Sequence, residues 1–168
     1  MNQSDYTKRM DRLTRKRNNK IDDYMHKASR FIIRYAMKKG ANTIVIGKNK
    51  NWKQKSQMGK KVNQSFVGLP HKKLLDRIAY KAEEHGIKVI LTEESYTSGT
   101  SFLDMEAPKK CNYNRSRRIH RGLFISNNGT KINADVNGSL QIMRKVFPNA
   151  FADGIEGVVL HPVRVSVF

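Results

Sequence analysis

The apolar residues of the first forty positions repeat every three or four residues, which is the spacing of one helical face. Upstream the repeat weakens to Met10 and Leu13, and no glycine or proline interrupts the segment before Gly40. The pattern predicts one long helix that is packed in its second half, solvated in its first, and capped by Gly40. The apolar positions are Ile21, Tyr24, Met25, Ala28, Phe31, Ile32, Tyr35 and Ala36.

Two short runs rich in β-branched residues, at positions 43–47 and 87–92, predict buried strands. A second helical pattern lies between them and starts at Pro70. A strand, a helix and a strand in this order predict a βαβ unit with parallel strands and a right-handed connection. The helix should bury the side of the chain that carries Leu74, Leu75, Ile78, Ala79 and Ala82.

The last third of the chain predicts a hairpin and a helix. Asn128-Gly129 stands between the apolar runs 123–125 and 131–132, and Asn-Gly between such runs is typical of a hairpin turn. Leu140, Ile142, Met143 and Val146 then follow at helical spacing, with Asp135 near the start of the helix. Residues 104–118 look irregular and exposed, and residues 158–168 form a strand or a partly ordered end.

Two adjacent carboxylates, Glu93 and Glu94, end the second strand of the βαβ unit. In open α/β sheets, ligands and metals bind at the carboxyl ends of the strands. The pair is therefore the best candidate for chemistry in the sequence, although an acidic transition from a strand to a loop is a common structural feature. For Asp135, the corresponding structural role is a helix cap or a partner of the helix dipole.

The chain carries a formal net charge of +19, with 33 Lys and Arg against 14 Asp and Glu. Such an excess favours a polyanionic partner, nucleic acid before an anionic membrane surface. Trp52, in a basic loop at 48–65, either stacks on a base or sugar or anchors the loop on the core. The residues predicted to contact nucleic acid are Arg12, Arg15, Lys16, Arg17, Lys20, Trp52, Lys53, Lys55, Arg117, Arg118 and Arg121.

No apolar run is long enough to span a bilayer, and no secretory signal pattern is present. The single cysteine, Cys111, excludes an internal disulfide and a cysteine-rich zinc site made by this chain alone. These features predict a cytoplasmic, nucleoid-associated protein with no membrane partner.

Several segments together resemble the C-terminal half of the OrfB/TnpB family. These proteins are transposon-encoded, RNA-guided DNA endonucleases related to the type V CRISPR effectors. The main segments are Glu-Glu-Ser-Tyr-Thr-Ser at 93–98, Arg-Ile and Arg-Gly-Leu-Phe within 118–124, and Ile-Asn-Ala-Asp-Val-Asn-Gly at 132–138. The strand at 43–47 followed by Trp-Lys-Gln at 52–54, the helix around 80–83 and the helix at 16–27 fit the same family.

The resemblance implies a RuvC nuclease domain of RNase H-like fold, in which three acids hold Mg²⁺ for phosphodiester hydrolysis. Asp135 matches the third acid of the family by its motif, whereas Gly47 stands where the second acid should be. Glu93 or Glu94, from the neighbouring strand, could supply the missing ligand, and we favour this relocation over outright loss. Glu93, Glu94 and Asp135 are therefore the predicted catalytic and metal-binding residues.

The family's first acid lies on a strand before the long helix, and nothing before Tyr6 can form that strand. We therefore expect a catalytically incomplete chain that binds Mg²⁺ weakly or not at all by itself. The missing N-terminal part of the nuclease, DNA and a guide-type RNA are the expected partners. The zinc ribbon that many family members carry also lacks its ligands here, with Ser101 in one of the ligand positions, so no structural zinc is expected.

The predicted fold is α/β, a partial RNase H-like (RuvC) domain with a long basic N-terminal helix. Residues 1–40 form that helix, and residues 41–168 form the RuvC-like domain, with a degenerate zinc-ribbon-like insertion at 99–120. The predicted function is the C-terminal RuvC-like part of a transposon-encoded RNA-guided DNA endonuclease. The alternatives are a non-catalytic DNA- or RNA-binding module derived from such a nuclease, and a split enzyme completed by a neighbouring reading frame.

Overall fold

The computed structural model of the chain describes residues 7–48, 70–151, 154, 159–163 and 165. The predicted basic loop, with Trp52, Lys53 and Lys55, lies outside these residues, as does much of the predicted C-terminal strand. The elements are α1 (Lys8–Lys38), β1 (Thr43–Lys48), α2 (His71–Glu84), β2 (Lys88–Glu93), β3 (Arg118–His120), β4 (Leu123–Ile125), β5 (Lys131–Asn133) and α3 (Ala134–Val146). Two short 3-10 turns, Lys110–Asn112 and Arg115–Arg117, precede β3.

The chain forms two compact units. The first unit contains α1 and α2, and the second contains β1 and β2 from Ile44 and Val89 onward, the three short strands and α3. This is a mixed α/β protein, as the order of the sequence patterns predicts. The domain boundary placed after residue 40 stays a prediction.

Helix α1 runs from Lys8 to Lys38 and ends where the sequence predicts. The Thr7 hydroxyl accepts the Met10 N–H at 3.3 Å, which caps the first turn. At the other end, Gly40 adopts a φ of +64°, and its N–H donates to the Met37 carbonyl. A left-handed residue after the last turn is the usual helix stop, and glycine adopts that conformation without strain.

The second half of α1 packs against α2, and the first half lies in solvent. Met25, Ile33 and Ala36 of α1 are buried, as are Ile78 and Ala82 of α2, whereas Leu13 is 56% exposed. Two polar ties join the helices: Lys73 and Arg77 pair with Asp22, and the Lys81 ammonium donates to the Ser29 hydroxyl at 2.6 Å. Ala79, predicted to be buried, is exposed because the buried face of α2 is narrower than the apolar pattern suggests.

Strands β1 and β2 form a two-stranded sheet. The Lys88 N–H donates to the Asn42 carbonyl at 2.9 Å, so the first residues of both strands lie side by side. This is the arrangement expected of parallel strands joined through a helix, and it places the ends of both strands at one edge of the sheet. Gly47 and Glu93, at those ends, are therefore brought to the same edge.

Strands β3, β4 and β5 form an antiparallel sheet in that order. The hairpin from β4 to β5 is the one predicted from Asn128-Gly129, with Phe124 opposite Ile132 and Gly129 at a φ of +83°. Phe124, Ile132 and Ala134 form a buried cluster with Leu103 and Leu140 packed against it. Strand β3 was missed in the sequence because all three of its residues are exposed, so it has no apolar pattern.

Candidate metal site and nucleic-acid interface

The Glu94 side chain fills the space beside Gly47 in which any other side chain would project. A Cβ atom at position 47 would lie 2.5 Å from Glu94 Oε1, 2.6 Å from Glu94 Cγ and 2.7 Å from Ile142 Cδ1. Real Cβ atoms do not approach other atoms this closely, so the absence of a side chain at Gly47 is what gives Glu94 its place. The half-buried Glu94 thus lies between the end of β1 and helix α3.

Glu93, the preceding acid, has a different environment. It is the last residue of β2 and is exposed. Its carbonyl oxygen accepts a hydrogen bond from Lys145 Nζ at 2.9 Å, and the same ammonium donates to the Ser95 hydroxyl at 3.0 Å. The main chain at Glu93 therefore ties the end of β2 to α3, while the carboxylate of Glu94 is the one directed at Gly47.

Asp135 lies in the first turn of α3, but it is not the residue that caps this helix. The side-chain oxygen of Asn133 accepts the N–H groups of Asp135 and Val136 at 2.9 and 3.1 Å and performs that role. The Asp135 side chain is 83% exposed, and Arg118 Nη2 lies 3.6 Å from its Oδ1. The carboxylate of Asp135 is thus available to a ligand, with the Arg118 guanidinium beside it.

Helix α3 relates the two acids. Ile142, which borders Glu94, follows Asp135 by seven residues, or two turns on the same helical face, a rise of about 10.5 Å. Glu94 and Asp135 thus belong to one side of α3. Within the described part of the chain, no three His, Cys, Asp or Glu side chains are grouped closely enough to hold a metal.

The segment after Glu94 is held by polar side chains of α3 that the sequence analysis did not single out. Asn137 is fully buried, accepts the Phe102 N–H at 2.9 Å and donates to the Thr100 carbonyl at 2.9 Å. Gln141, also fully buried, donates to the Thr100 hydroxyl and to the Glu106 carbonyl, both at 3.1 Å. These bonds satisfy main-chain groups that would otherwise be buried without a partner.

Arg144 extends this network by one further turn. Its guanidinium lies 4.5 Å from the centre of the Phe102 ring and donates to the Glu106 carbonyl at 3.2 Å. Burial lowers the pKa of Arg144 from its ordinary value. Asn137, Gln141 and Arg144 are spaced by four and three residues, so the sequence did contain the signal, as a polar stripe on an otherwise apolar helix.

Arg117, predicted to contact nucleic acid, forms an ion pair with Glu106. Its Nη1 lies 2.8 and 2.7 Å from the two carboxylate oxygens of Glu106, and its side chain is only 17% exposed. Glu106 also accepts the Ser101 N–H at 2.8 Å. The guanidinium is thus paired within the protein, and its contact with nucleic acid stays a prediction. The prediction that residues 104–118 are irregular and exposed is wrong at Glu106 and Arg117.

The other described cations of the predicted interface are in solvent. Arg118 and Arg121 are exposed around β3, and Arg17 makes only an exposed bond to Asn18. The remaining ones line a shallow groove on the first half of α1, which is formed by Arg12, Arg15, Lys16, Asn19, Lys20 and Asp23. Contact of these residues with nucleic acid stays a prediction, as it does for Trp52, Lys53 and Lys55 outside the described ranges.

The family described as Cas12f1-like, TNB domain, matches residues 71–142. A TnpB-like protein, ORF457 of Acidianus two-tailed virus, is 31% identical over 127 residues, which are 74% of this chain and 23% of the relative. The CRISPR-associated endodeoxyribonuclease Cas12f1 of Sulfoacidibacillus thermotolerans is 30% identical over 137 residues, 80% of this chain and 29% of the relative. The chain is a TnpB/type V effector-related protein.

This TnpB-related chain spans about a quarter of the length of the curated relatives it matches. A solved Cas12f1, in a complex with sgRNA and target DNA, shares its fold with a TM-score of 0.63 and 20% identity, covering 80% of this chain and 36% of that chain. The predicted family is thus confirmed, and the fold is a mixed α/β fold like that of Cas12f1. In the described ranges, no helix of the TnpB-related chain combines the length and apolarity needed to cross a membrane.

Proposed function

We propose that the chain is the C-terminal RuvC-like part of an RNA-guided DNA endonuclease and that Glu94 and Asp135 are its metal ligands. The observation that carries the proposal is the place of Glu94, whose carboxylate fills the volume of a side chain at position 47. The resemblance puts the family's second acid at that position, where this chain has glycine. A carboxylate supplied by the neighbouring strand would therefore replace the lost one in the same space.

The chemistry of the two acids suits a hard divalent cation. Carboxylate oxygens are the ligands that Mg²⁺ prefers. Because Mg²⁺ keeps several waters, one of the two acids can coordinate the ion directly and the other through a water. A cation bound there would stabilise charge on the oxygens of a phosphodiester. Arg118, beside Asp135, would attract and orient the phosphate through its positive charge.

The proposed partners are DNA and a guide-type RNA. The fold matches that of a protein solved with sgRNA and target DNA, and the net charge of +19 favours binding to phosphates. The exposed groove on α1 presents four cations, Arg12, Arg15, Lys16 and Lys20, on one stretch of helix. We assign it to the phosphate backbone, together with Arg118 and Arg121.

A second candidate function is a binding module without catalysis. It is favoured by the absence, among the residues the structure describes, of a third acid grouped with any two others. Two carboxylates alone would hold a metal weakly, so the chain by itself would bind nucleic acid and cleave it poorly. The binding module and the nuclease would bind nucleic acid through the same cationic surface. They differ only in whether a bound metal ion promotes cleavage of the strand.

Cleavage assays on the purified chain test the proposal. Single-stranded DNA is incubated with Mg²⁺ or Mn²⁺ and with wild type, Glu94→Gln, Asp135→Asn or the matched control Glu93→Gln. We expect metal-dependent cleavage to be slow and to disappear in the first two variants but not in the third. No cleavage with any metal, at undiminished binding, selects the binding module, whereas cleavage that survives in both Glu94→Gln and Asp135→Asn contradicts the assigned ligands.

The salt dependence of binding tests the groove on α1. Replacing Arg12, Arg15 and Lys16 by glutamine is expected to reduce the slope of log affinity against log salt by about 2, since each lost phosphate contact with a single strand contributes about 0.7. The matched control replaces three exposed lysines elsewhere, Lys38, Lys72 and Lys131, and should leave the slope nearly unchanged. Equal slopes in both triple variants would remove the groove from the interface.

The Arg118 side chain should weaken metal binding at Asp135. Its guanidinium lies 3.6 Å from Asp135 Oδ1 and competes with a cation for the same carboxylate. Because the pair is exposed, the effect is modest, and Arg118→Gln is expected to raise the affinity for Mn²⁺ about two- to fivefold at low salt. Titration of Mn²⁺ by electron paramagnetic resonance measures this, and a lowered affinity would show that Arg118 supports the site instead.

A further inference from the structure

Two tyrosines stand together at the surface: Tyr96, two residues after Glu94, and Tyr113. The rings of Tyr96 and Tyr113 lie edge to face, with centroids 5.9 Å apart and an interplanar angle of 71°. Although they contact each other, Tyr96 is 39% exposed and Tyr113 is 40% exposed. Aromatic pairs that stabilise a hydrophobic core are buried. This pair exposes apolar ring surface to water, so packing alone does not explain it.

The main chain at Tyr96 is held in a costly conformation. Tyr96 has a φ of +64°, in the left-handed region that residues with a bulky side chain rarely adopt. The turn is fixed on both sides, because the Thr97 hydroxyl donates to the Glu94 carbonyl and the Thr100 hydroxyl donates to the Tyr96 carbonyl, both at 2.8 Å. Such strain persists where the surroundings over-determine it, and it is frequent at functional sites.

Gly99 makes room for the second ring. A Cβ atom at position 99 would lie 2.5–2.9 Å from three atoms of the Tyr113 ring, so only glycine lets the ring rest on the turn. The Asn114 N–H also donates to the Gly99 carbonyl at 2.9 Å, which fixes the main chain beside Tyr113. The turn that carries Tyr96 and Gly99 thus accommodates the ring of Tyr113 from a later segment. The result is one rigid, exposed aromatic pair.

We propose that Tyr96 and Tyr113 form a stacking site for an unpaired base of the nucleic-acid strand that passes Glu94. This inference rests on the proposed function, since Tyr96 is two residues from the assigned metal ligand. Every base has a π-face, and rigid exposed aromatics are the usual means of holding a single strand without reading its sequence. The exposed cations Lys109, Lys110 and Arg115 flank Tyr113 in the sequence, so phosphates on either side of the base would find positive charge nearby.

The test measures binding of single-stranded DNA by the full chain at several salt concentrations. Tyr113→Leu retains apolar contact with the turn but removes the π-face, and Tyr113→Phe retains both. The matched control is Tyr80→Leu, another exposed tyrosine, on α2. We expect Tyr113→Leu to weaken binding about 5- to 150-fold, which is the usual effect of losing one base–aromatic stack, with an unchanged salt slope. Tyr113→Phe and Tyr80→Leu should bind within about twofold of wild type on the same scale.

A second measurement separates stacking from loss of structure. One base at a time in the oligonucleotide is replaced by an abasic site, and wild type should lose affinity at one position. In Tyr113→Leu this positional loss should disappear, because the base no longer has its partner. Unchanged binding by Tyr113→Leu, or a positional loss that persists in it, overturns the stacking site alone. Failure of the wild type to bind any single strand overturns the proposed function together with the stacking site.

Discussion

Asn137→Ala is expected to lower the free energy of unfolding by about 2–5 kcal/mol, because it leaves two buried main-chain groups without partners. These groups are the N–H of Phe102 and the carbonyl of Thr100, each 2.9 Å from the Asn137 amide. All three residues are fully buried, so water cannot replace the lost bonds without opening the segment. Urea unfolding followed by circular dichroism measures the change.

Ser139→Ala is the matched control on the same helix. The Ser139 hydroxyl donates to the Val136 carbonyl at 2.9 Å, but it is exposed, so the free energy of unfolding should change by less than about 0.5 kcal/mol. Equal effects of the two substitutions would show that Asn137 does not hold the segment. A loss of stability at Asn137 alone would show that its hydrogen bonds hold the segment at Thr100 and Phe102 in place.

Gly47→Ala is expected to lower the affinity for Mn²⁺ about tenfold or more, although it removes no acid. The added methyl group would overlap Glu94 Oε1, Glu94 Cγ and Ile142 Cδ1 and would push the carboxylate from its place. The same overlap should cost about 1–3 kcal/mol of stability. The double variant Gly47→Ala with Glu94→Ala should recover part of that stability, because the overlap with the Glu94 side chain is removed and only the one with Ile142 remains.

Gly138→Ala provides the control for Gly47→Ala. Gly138 lies within α3, and no atom lies within 4 Å of the position a Cβ would take. Alanine should therefore stabilise the helix by about 0.5–1 kcal/mol and leave Mn²⁺ affinity as it is. Wild-type affinity in Gly47→Ala would mean that the place of Glu94 beside Gly47 has no bearing on the metal.

Local patterns in the sequence predicted most of the elements. The stop of α1 at Gly40 and the hairpin at Gly129 follow from rules that act over a few residues, and both are confirmed. The predicted face of α1 is right at Met25 and Ala36 but wrong at Tyr24 and Tyr35, which are exposed. Strand β3 was not predictable in this way, because its pairing with β4 is set by main-chain hydrogen bonds and leaves no apolar alternation.

The sequence singled out the acids of the candidate site but not their geometry. Glu93 and Glu94 could not be told apart by sequence, since they are adjacent carboxylates at one strand end. They differ in their surroundings, because the Glu94 side chain occupies the space beside Gly47, a residue distant in the sequence. Hydrophobic periodicity cannot show such a contact. The ion pair of Arg117 was missed for a related reason: an arginine in a basic run gives no sign in the sequence of its partner, Glu106.

The most direct test of the central claim is whether Glu94 and Asp135 bind the same cation. Mn²⁺ affinity is measured by electron paramagnetic resonance for wild type, Glu94→Gln, Asp135→Asn and the double variant. We expect each single substitution to lower the affinity about tenfold or more and the double to lower it little further, because two ligands of one ion are not independent. Independent losses that multiply in the double variant, or wild-type affinity in either single variant, would contradict a shared site.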